Sequence, residues 1–196
     1  MRKNRKLVRG VGINDADYVV KKKVNGKTVS CPFYRKWSHM IMRCYSKLYQ
    51  KSKPSYVGCS VCEEWLTFSN FKRWMEQQDW HGKELDKDIL VKGNKIYSPA
   101  TCCFVDSLTN HFTMDSAASR GHYPIGVHYY KAYGRFMARC NNPFTNKDHG
   151  EHLGYFDTPE DAYEAWRSKK HEHAQKIAQM QSNEVIANAL RARYLK

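Results

Sequence analysis

Apolar residues recur at three- and four-residue intervals in two early stretches of the chain, the spacing of an amphipathic helix. From Pro32, the segment YRKWSHMIMRCYSKLY predicts one helix with its apolar face formed by Trp37, Met40, Ile41, Cys44, Tyr45 and Leu48. From about Thr67, FSNFKRWMEQQ predicts a second helix whose stripe is Phe68, Phe71, Trp74 and Met75. We expect both stripes to face a hydrophobic core.

The second half of the chain has shorter apolar segments that are rich in aromatic residues. IGVHYYKAYGRFMARC predicts two strands separated by an Ala-Tyr-Gly turn, and EHLGYFD predicts a third. Thr158-Pro159-Glu160-Asp161 predicts a helix start, because Thr158 is a good N-cap and proline suits the first helical position. AYEAWRSKKHEHAQKIAQM continues this helix. EVIANALRARYL either extends it or forms another helix after Ser182.

Between these regions, residues 85–110 combine an acidic strand, a Gly-Asn loop, a second strand and a helix. Near the start of the chain, Val24-Asn25-Gly26-Lys27 predicts a hairpin, since Asn-Gly favours a tight primed turn. TMDSAASRGHYP, small and polar, is typical of a linker. These elements together predict the α+β class.

The charge of the chain narrows the class of partner. There are 33 Lys and Arg against 19 Asp and Glu, giving a net charge of +14, which points to a polyanion. A basic surface kept for solubility alone is the weaker alternative, because aromatic residues are interleaved with the charge. No apolar run approaches the roughly 18 residues that a membrane span needs, and the basic N-terminus lacks the apolar region of a secretion signal. We therefore expect a cytoplasmic protein.

The seven cysteines, an odd number, favour reduced thiols over a disulfide framework. Cys59 and Cys62, with Cys102 and Cys103 further on, have the composition of a structural Zn²⁺ site. However, adjacent cysteines are poor ligands for one tetrahedral ion, and free cysteine is often buried in cores. Core packing is the favoured interpretation.

Two sets of residues carry family resemblances. W-SHMIMRC-Y, Y-VGCSVCEEW, F-NF, LDKD and G-N-K-IYSPATCCFV, followed by an asparagine, occur in this order between Trp37 and Asn110. This pattern resembles the HNH endonucleases of phages and mobile elements. GVHYY, GRFMAR and LGYFDTPEDAYEAW resemble the AP2 DNA-binding domain, which also occurs as the C-terminal module of phage HNH endonucleases.

These resemblances imply a domain organisation. A basic segment, 1–31, would precede an HNH-like nuclease domain, 32–115, with a ββα-metal core and flanking helices. A linker, 116–122, would lead to an AP2-like domain, 123–196, in which a three-stranded antiparallel sheet packs on a helix and a helical extension follows.

The HNH resemblance also implies site residues. A ββα-metal core holds a hard divalent cation with oxygen ligands, and it needs a base together with a residue that orients the base. Asp86 and Asn110 match the ligands of Mg²⁺ or Mn²⁺, and Asn94 matches the orienting residue. Lys87 occupies the base position; at its ordinary pKa it is protonated at pH 7, so we expect a phosphate clamp. Asp88 is either a further ligand or part of a charged strand edge.

The AP2 resemblance implies that the sheet lies in the major groove of duplex DNA. Candidate DNA contacts are His128, Tyr130, Arg135 and Arg139 on the strands, and Lys131 and Lys147 on the connections. The alternate strand residues, including Tyr129, are expected to pack on the helix. The histidines at 149, 152, 171 and 173 are expected to be solvated rather than metal-bound.

The leading hypothesis is a homing-type DNA endonuclease that uses Mg²⁺ or Mn²⁺ and acts, if phage-encoded, in the cytoplasm of an infected bacterium. The second is a DNA-binding or regulatory protein that has lost catalysis, because no histidine stands at position 87. The third is a phage effector that binds a host protein, and the AP2 resemblance argues against it.

Overall fold

The computed structural model describes residues 7–115, 121–145 and 150–195, and they form two compact units, Met1–Asp106 and Ser107–Lys196. Both units combine helices with small sheets, which confirms the α+β class. The units meet in sequence between residues 106 and 107, ahead of the predicted linker. Most of that linker, residues 116–120, lies outside the described residues.

The first unit begins with an antiparallel hairpin of β1 (Lys21–Val24) and β2 (Lys27–Ser30). Asn25 and Gly26 have φ angles of 48° and 74°, the left-handed values that both central residues of a type I′ turn require. The hairpin predicted from Asn-Gly is therefore confirmed. Every residue of its strands except the last, Ser30, is exposed.

Helices α1 (Pro32–Tyr45) and α3 (Phe68–Glu76) confirm the two predicted amphipathic helices. Trp37, Phe68 and Phe71 are almost completely buried in one core cluster. The first helix ends earlier than the pattern predicts. Ser46 is extended and its side chain caps a separate helix, α2 (Lys47–Ser52). Leu48, expected on the apolar face, therefore lies on α2 and is 81% exposed.

Two short strand pairs complete the first unit. The parallel pair joins β3 (Ser60–Val61) to β5 (Ile96–Tyr97). The antiparallel pair joins β4 (Glu84–Asp86) to β6 (Cys103–Val105). The acidic strand therefore pairs with the strand that follows Cys102, whereas the strand directly after the Gly-Asn loop pairs elsewhere.

The second unit begins with a short helix, α4 (Ser107–Thr113), followed by an antiparallel sheet of β7 (Val127–Tyr130), β8 (Arg135–Cys140) and β9 (Glu151–Phe156). The sheet packs on a long helix, α5 (Pro159–Gln179). A bulge shifts the register of β8 and β9 between Ala138 and Arg139. The three predicted strands and the helix after them are all present.

Thr158 caps α5 as predicted: its side chain accepts the N–H of Asp161 at 3.1 Å. A separate helix, α6 (Glu184–Ala192), follows, with Asn183 as its N-cap. Of the two alternatives predicted for this segment, a separate helix after Ser182 is therefore correct. No helix of the described ranges has the length and apolar character needed to cross a membrane.

Close packing against α5 explains one glycine of the sheet. Gly126 precedes β7 with a φ of 79°, and a Cβ there would stand 2.0 Å from the ring of the buried Trp166. Val127, Ala138 and Ala162 form the buried centre of this small core. Tyr129, expected to pack on the helix, is 44% exposed and contacts Phe136 instead.

Candidate functional site

Asp86 ends β4, and its carboxylate closes the turn that follows. Its Oδ1 accepts the backbone N–H groups of Asp88 and Ile89, each at 2.7 Å. Its other oxygen, Oδ2, accepts no hydrogen bond from the residues that the structure describes. The turn therefore fixes the direction of the carboxylate and leaves one oxygen for another ligand.

The surroundings of Asp86 disfavour its charged form. Burial raises the pKa of the carboxyl group, and the neighbouring charge of Asp88 raises it further. The two backbone N–H groups and the charge of Lys87 act in the opposite direction but are outweighed. A bound cation would stabilise the charged form of such a poorly solvated carboxylate. Carboxylate oxygens are also the ligands that hard metal ions prefer.

Lys87 is buried, with 7% of its surface exposed. Its Nζ donates to Oδ2 of Asp88 at 2.9 Å and lies 6.0 Å from the centre of the Tyr97 ring. Burial would lower the pKa of the ammonium group, but the hydrogen bond and charge of Asp88, with smaller contributions from Cys59 and Asp86, raise it. Lys87 is therefore a cation at neutral pH. Its burial does not favour the phosphate contact expected from the sequence.

Asn94 holds the loop after β4 to the backbone of Lys87. Its Nδ2 donates to the carbonyl oxygens of Lys87 and Ile96, both at 2.7 Å, and its Oδ1 accepts the N–H of Ile96 at 3.2 Å. The amide group thereby ties the two ends of the Gly-Asn loop together. This arrangement suits the orienting role that the sequence predicts for Asn94, although here the oriented residue is a lysine.

A group of three residues beside this turn was missed by the sequence reasoning. Arg43 of α1 donates a hydrogen bond to the Tyr97 hydroxyl and lies 5.4 Å from the centre of the Tyr56 ring. Burial raises the pKa of Tyr56, and the charge of Asp86 contributes to the same shift. Arg43 therefore places a guanidinium group near the acidic turn. Arg43 and Tyr56 both belong to the segments that resemble HNH endonucleases, and this resemblance could have indicated them.

The predicted metal ligands lie in different units. Asp86 belongs to the first unit, whereas Asn110 lies on α4 of the second, where its carbonyl oxygen accepts from the Thr113 hydroxyl at 3.1 Å. In the described part of the chain, no three His, Cys, Asp or Glu residues are grouped so as to hold a metal ion. The oxygen of Asp86 that remains available, together with its raised pKa, nevertheless fits a hard divalent cation.

The cysteines considered for zinc are free thiols. Burial raises the pKa values of Cys62, Cys102 and Cys103, and that of Cys103 is about 12. Zinc binds the thiolate form. The protonated forms favoured here suit core packing.

The outer face of the three-stranded sheet carries an exposed group of aromatic residues. Tyr130, Tyr133 and Tyr155 contact one another with ring centres 4.9 to 5.5 Å apart, and His152 lies 4.8 Å from Tyr155. Tyr133 is 63% exposed. The strand register places His128 opposite Met137, on the same face of the sheet as Tyr130. The face therefore offers rings and donors to a ligand.

The predicted DNA contacts differ in their availability. Arg139, His128, Tyr130 and Lys131 are exposed. Arg135 instead pairs with Asp157, with Nε and Nη2 both 2.9 Å from Oδ1. Lys147 lies outside the described residues.

A cavity of about 860 Å³ in the second unit was also missed. It is lined by residues of α4, the sheet and α5, among them Arg139 and Lys170. The Lys170 ammonium donates to the Phe112 carbonyl at 2.8 Å and lies 3.8 Å from the centre of its ring. Burial lowers the pKa of Lys170 to about 8. Its contacts identify Lys170 as a link between α5 and α4.

The expectation that His173 is solvated is wrong. It is 2% exposed rather than solvated, and neither ring nitrogen has a hydrogen-bond partner among the described residues. Burial lowers its pKa, which favours the neutral ring.

Comparison of the chain with family models, with curated proteins and with solved structures found no match.

Proposed function

We propose that the chain is an HNH-like DNA endonuclease that binds duplex DNA and hydrolyses a phosphodiester with a divalent metal ion. The observation that carries this proposal is the turn after β4. There a desolvated carboxylate, Asp86, keeps one oxygen available while Asn94 fixes the adjoining loop. The net charge of +14 suits a nucleic acid substrate.

In this proposal, Asp86 is the residue of the first unit that would hold Mg²⁺ or Mn²⁺. A bound ion would supply Lewis acidity at a phosphodiester. The backbone N–H groups of Asp88 and Ile89 keep the Asp86 carboxylate in one orientation. Asn94 keeps the loop closed.

The outer face of the sheet is the proposed reader of duplex DNA, as an AP2-like module would be. Arg139 and Lys131 offer cations, while Tyr130 and Tyr133 offer rings beside them. Strands of small sheets can enter the major groove, where their side chains reach bases and phosphates.

One observation favours a second candidate function, a DNA-binding protein that no longer cleaves. The residue at the base position, Lys87, is an ammonium group paired with Asp88, and its raised pKa prevents it from accepting a proton at neutral pH. An enzyme would need another base, whereas a binding protein needs none.

A plasmid-nicking assay beside a gel shift separates the two. Purified chain is incubated with supercoiled DNA and Mg²⁺, Mn²⁺ or EDTA, and the same DNA is used to measure binding. An endonuclease nicks with metal but not with EDTA, and Asp86→Asn abolishes nicking while binding persists. DNA that is bound but never cut by the wild type, and cut by Lys87→His, identifies a lapsed nuclease. A chain that binds no DNA even at low salt contradicts both functions.

A further inference from the structure

The positive charge of the chain is concentrated outside the predicted reader module. Residues 18–62 contain ten Lys and Arg and no Asp or Glu. Residues 123–196 contain eleven Lys and Arg against eight Asp and Glu, a net charge of only +3. Most of the net charge of +14 therefore belongs to the segment that forms the hairpin, α1 and α2.

The hairpin presents its lysines on two different faces. Cross-strand partners share a face, and Lys21 pairs with Ser30 while Lys23 pairs with Thr28. The other face carries Lys22, Val24, Lys27 and Val29. Since all these side chains except Ser30 are exposed, neither face is used for core packing. The same short element therefore offers two distinct pairs of lysines to solvent.

The face that carries Lys21 and Lys23 continues onto α1 through Lys21. Lys21 lies at the base of the hairpin, where the N–H of Cys31 donates to the carbonyl of Val20. Its ammonium group is 5.3 Å from the centre of the Tyr34 ring on α1. Lys21 thus lies beside the first turn of the helix.

Several cationic side chains lie near the exposed His39 on α1. Partial desolvation of its ring lowers its pKa, and four positive charges lower it further: Arg43, Arg35, Lys21 and Lys36. Arg35 precedes His39 by four residues, so the two are neighbours on the same side of the helix. Lys21 reaches the same place from the hairpin. The cationic side chains therefore form one surface across two elements.

Two of these cations are already engaged by the protein. Lys36 donates to the carbonyl of Lys83, and Arg43 is held among tyrosines. Lys21, Lys23 and Arg35 are exposed. Like charges held together in the folded state repel one another, and no acidic residue of this segment offsets them. An anionic ligand would relieve that repulsion.

We infer that Lys21, Lys23, Arg35 and His39 form a second surface that contacts the phosphate backbone of duplex DNA. This inference rests on the DNA-binding function proposed above, and it assigns a large part of the nonspecific affinity to the first unit. A two-stranded ribbon and a helix are both narrow enough to follow a groove of B-DNA. The sheet of the second unit then contributes base contacts more than charge.

The two faces of the hairpin provide a matched test in the full-length chain. Lys21→Gln/Lys23→Gln removes two charges from the face that continues onto α1, and Lys22→Gln/Lys27→Gln removes two from the opposite face. Binding of a fluorescent duplex is measured over a series of NaCl concentrations. Thermal unfolding confirms that both variants fold, as expected for exposed positions.

Each phosphate contact contributes about 0.9 to the slope of log K against log salt concentration. We expect the Lys21/Lys23 variant to lose about 1.8 of that slope, and the Lys22/Lys27 variant to keep the wild-type slope. Equal slopes for both variants, whether unchanged or reduced, overturn the inference while DNA binding by the wild type stands. If the wild type does not bind DNA, the proposed function and this inference both fail.

Discussion

Lys87 and Asp88 are neighbours in sequence whose side chains meet in a partly buried hydrogen bond of 2.9 Å between Nζ and Oδ2. Consecutive residues of an extended strand point to opposite faces, so this contact requires the chain to leave the strand after Asp86. The turn closed by the Asp86 carboxylate provides that change of direction. The three residues therefore act as one unit: Asp86 shapes the turn, and the turn pairs Lys87 with Asp88.

Breaking this pair should destabilise the first unit. Lys87→Met leaves Asp88 without its ammonium partner, and we expect a loss of roughly 1–3 kcal/mol, below the value for a fully buried pair because a third of Asp88 is exposed. Urea unfolding measures the loss. The double variant Lys87→Met/Asp88→Asn should recover part of it, and purely additive effects would show that the pair contributes nothing.

Asp86→Asn should separate catalysis from stability. The amide oxygen can still accept the N–H groups of Asp88 and Ile89, so the turn is kept. The pKa of Asp86 is raised in the folded state, so the carboxyl group contributes stability at low pH that is lost as pH rises through that pKa. At neutral pH, the variant should therefore unfold at equal or higher urea concentration than the wild type.

Asp86→Asn also tests whether Asp86 binds a divalent metal ion. Mg²⁺ or Mn²⁺ should raise the melting temperature of the wild type by binding the folded state, and EDTA should reverse the effect. Asp86→Asn should show no such increase. An equal increase in both proteins would place the ion elsewhere.

Lys170 should make stability depend on alkaline pH. Its pKa is about 8 in the folded protein and 10.5 in an unperturbed lysine. Between these values the unfolded state binds more protons, so Lys170 increases stability as pH rises from 8 towards 10.5. Melting temperatures of Lys170→Met should lack this contribution. Lys176→Met, an exposed lysine on the same helix, should follow the wild type.

Arg139 should contribute more to DNA binding than Arg135. Arg139 is exposed, whereas Arg135 is already paired with Asp157 and must break that pair to reach a ligand. We expect Arg139→Ala to weaken duplex binding by about 1–3 kcal/mol if it contacts a base. Arg135→Ala should have a smaller effect, and Asp157→Asn should strengthen binding. Anisotropy with two unrelated duplexes measures affinity and specificity. Equal, negligible losses would remove the sheet as the reader.

Local patterns predicted local structure well. The two amphipathic helices, the Asn-Gly hairpin and the Thr158 cap depend on neighbouring residues, and each is present. One clear error concerns Leu48. There the apolar period continues through Ser46, but the serine side chain caps a new helix and ends the old one.

Contacts between distant residues were not readable in the same way. The partner of the acidic strand is β6 rather than the strand directly after the loop, and no local period indicates which strand pairs with which. The Arg135–Asp157 pair joins residues that are 22 apart. The burial of His173 depends on how α5 packs. The assignments of Asp86, Asn94 and Asn110 came from resemblance, and their catalytic roles remain predictions.

The hairpin of β1 and β2 has a further consequence, for local opening. A two-stranded ribbon exposed on both faces gains little from packing, and such ribbons are marginally stable by themselves. Its backbone amides should therefore exchange with solvent deuterium far sooner than those of α1, without unfolding of the core. Contact with a polyanion would slow that exchange selectively. Suppressing this local opening would then cost part of the binding free energy.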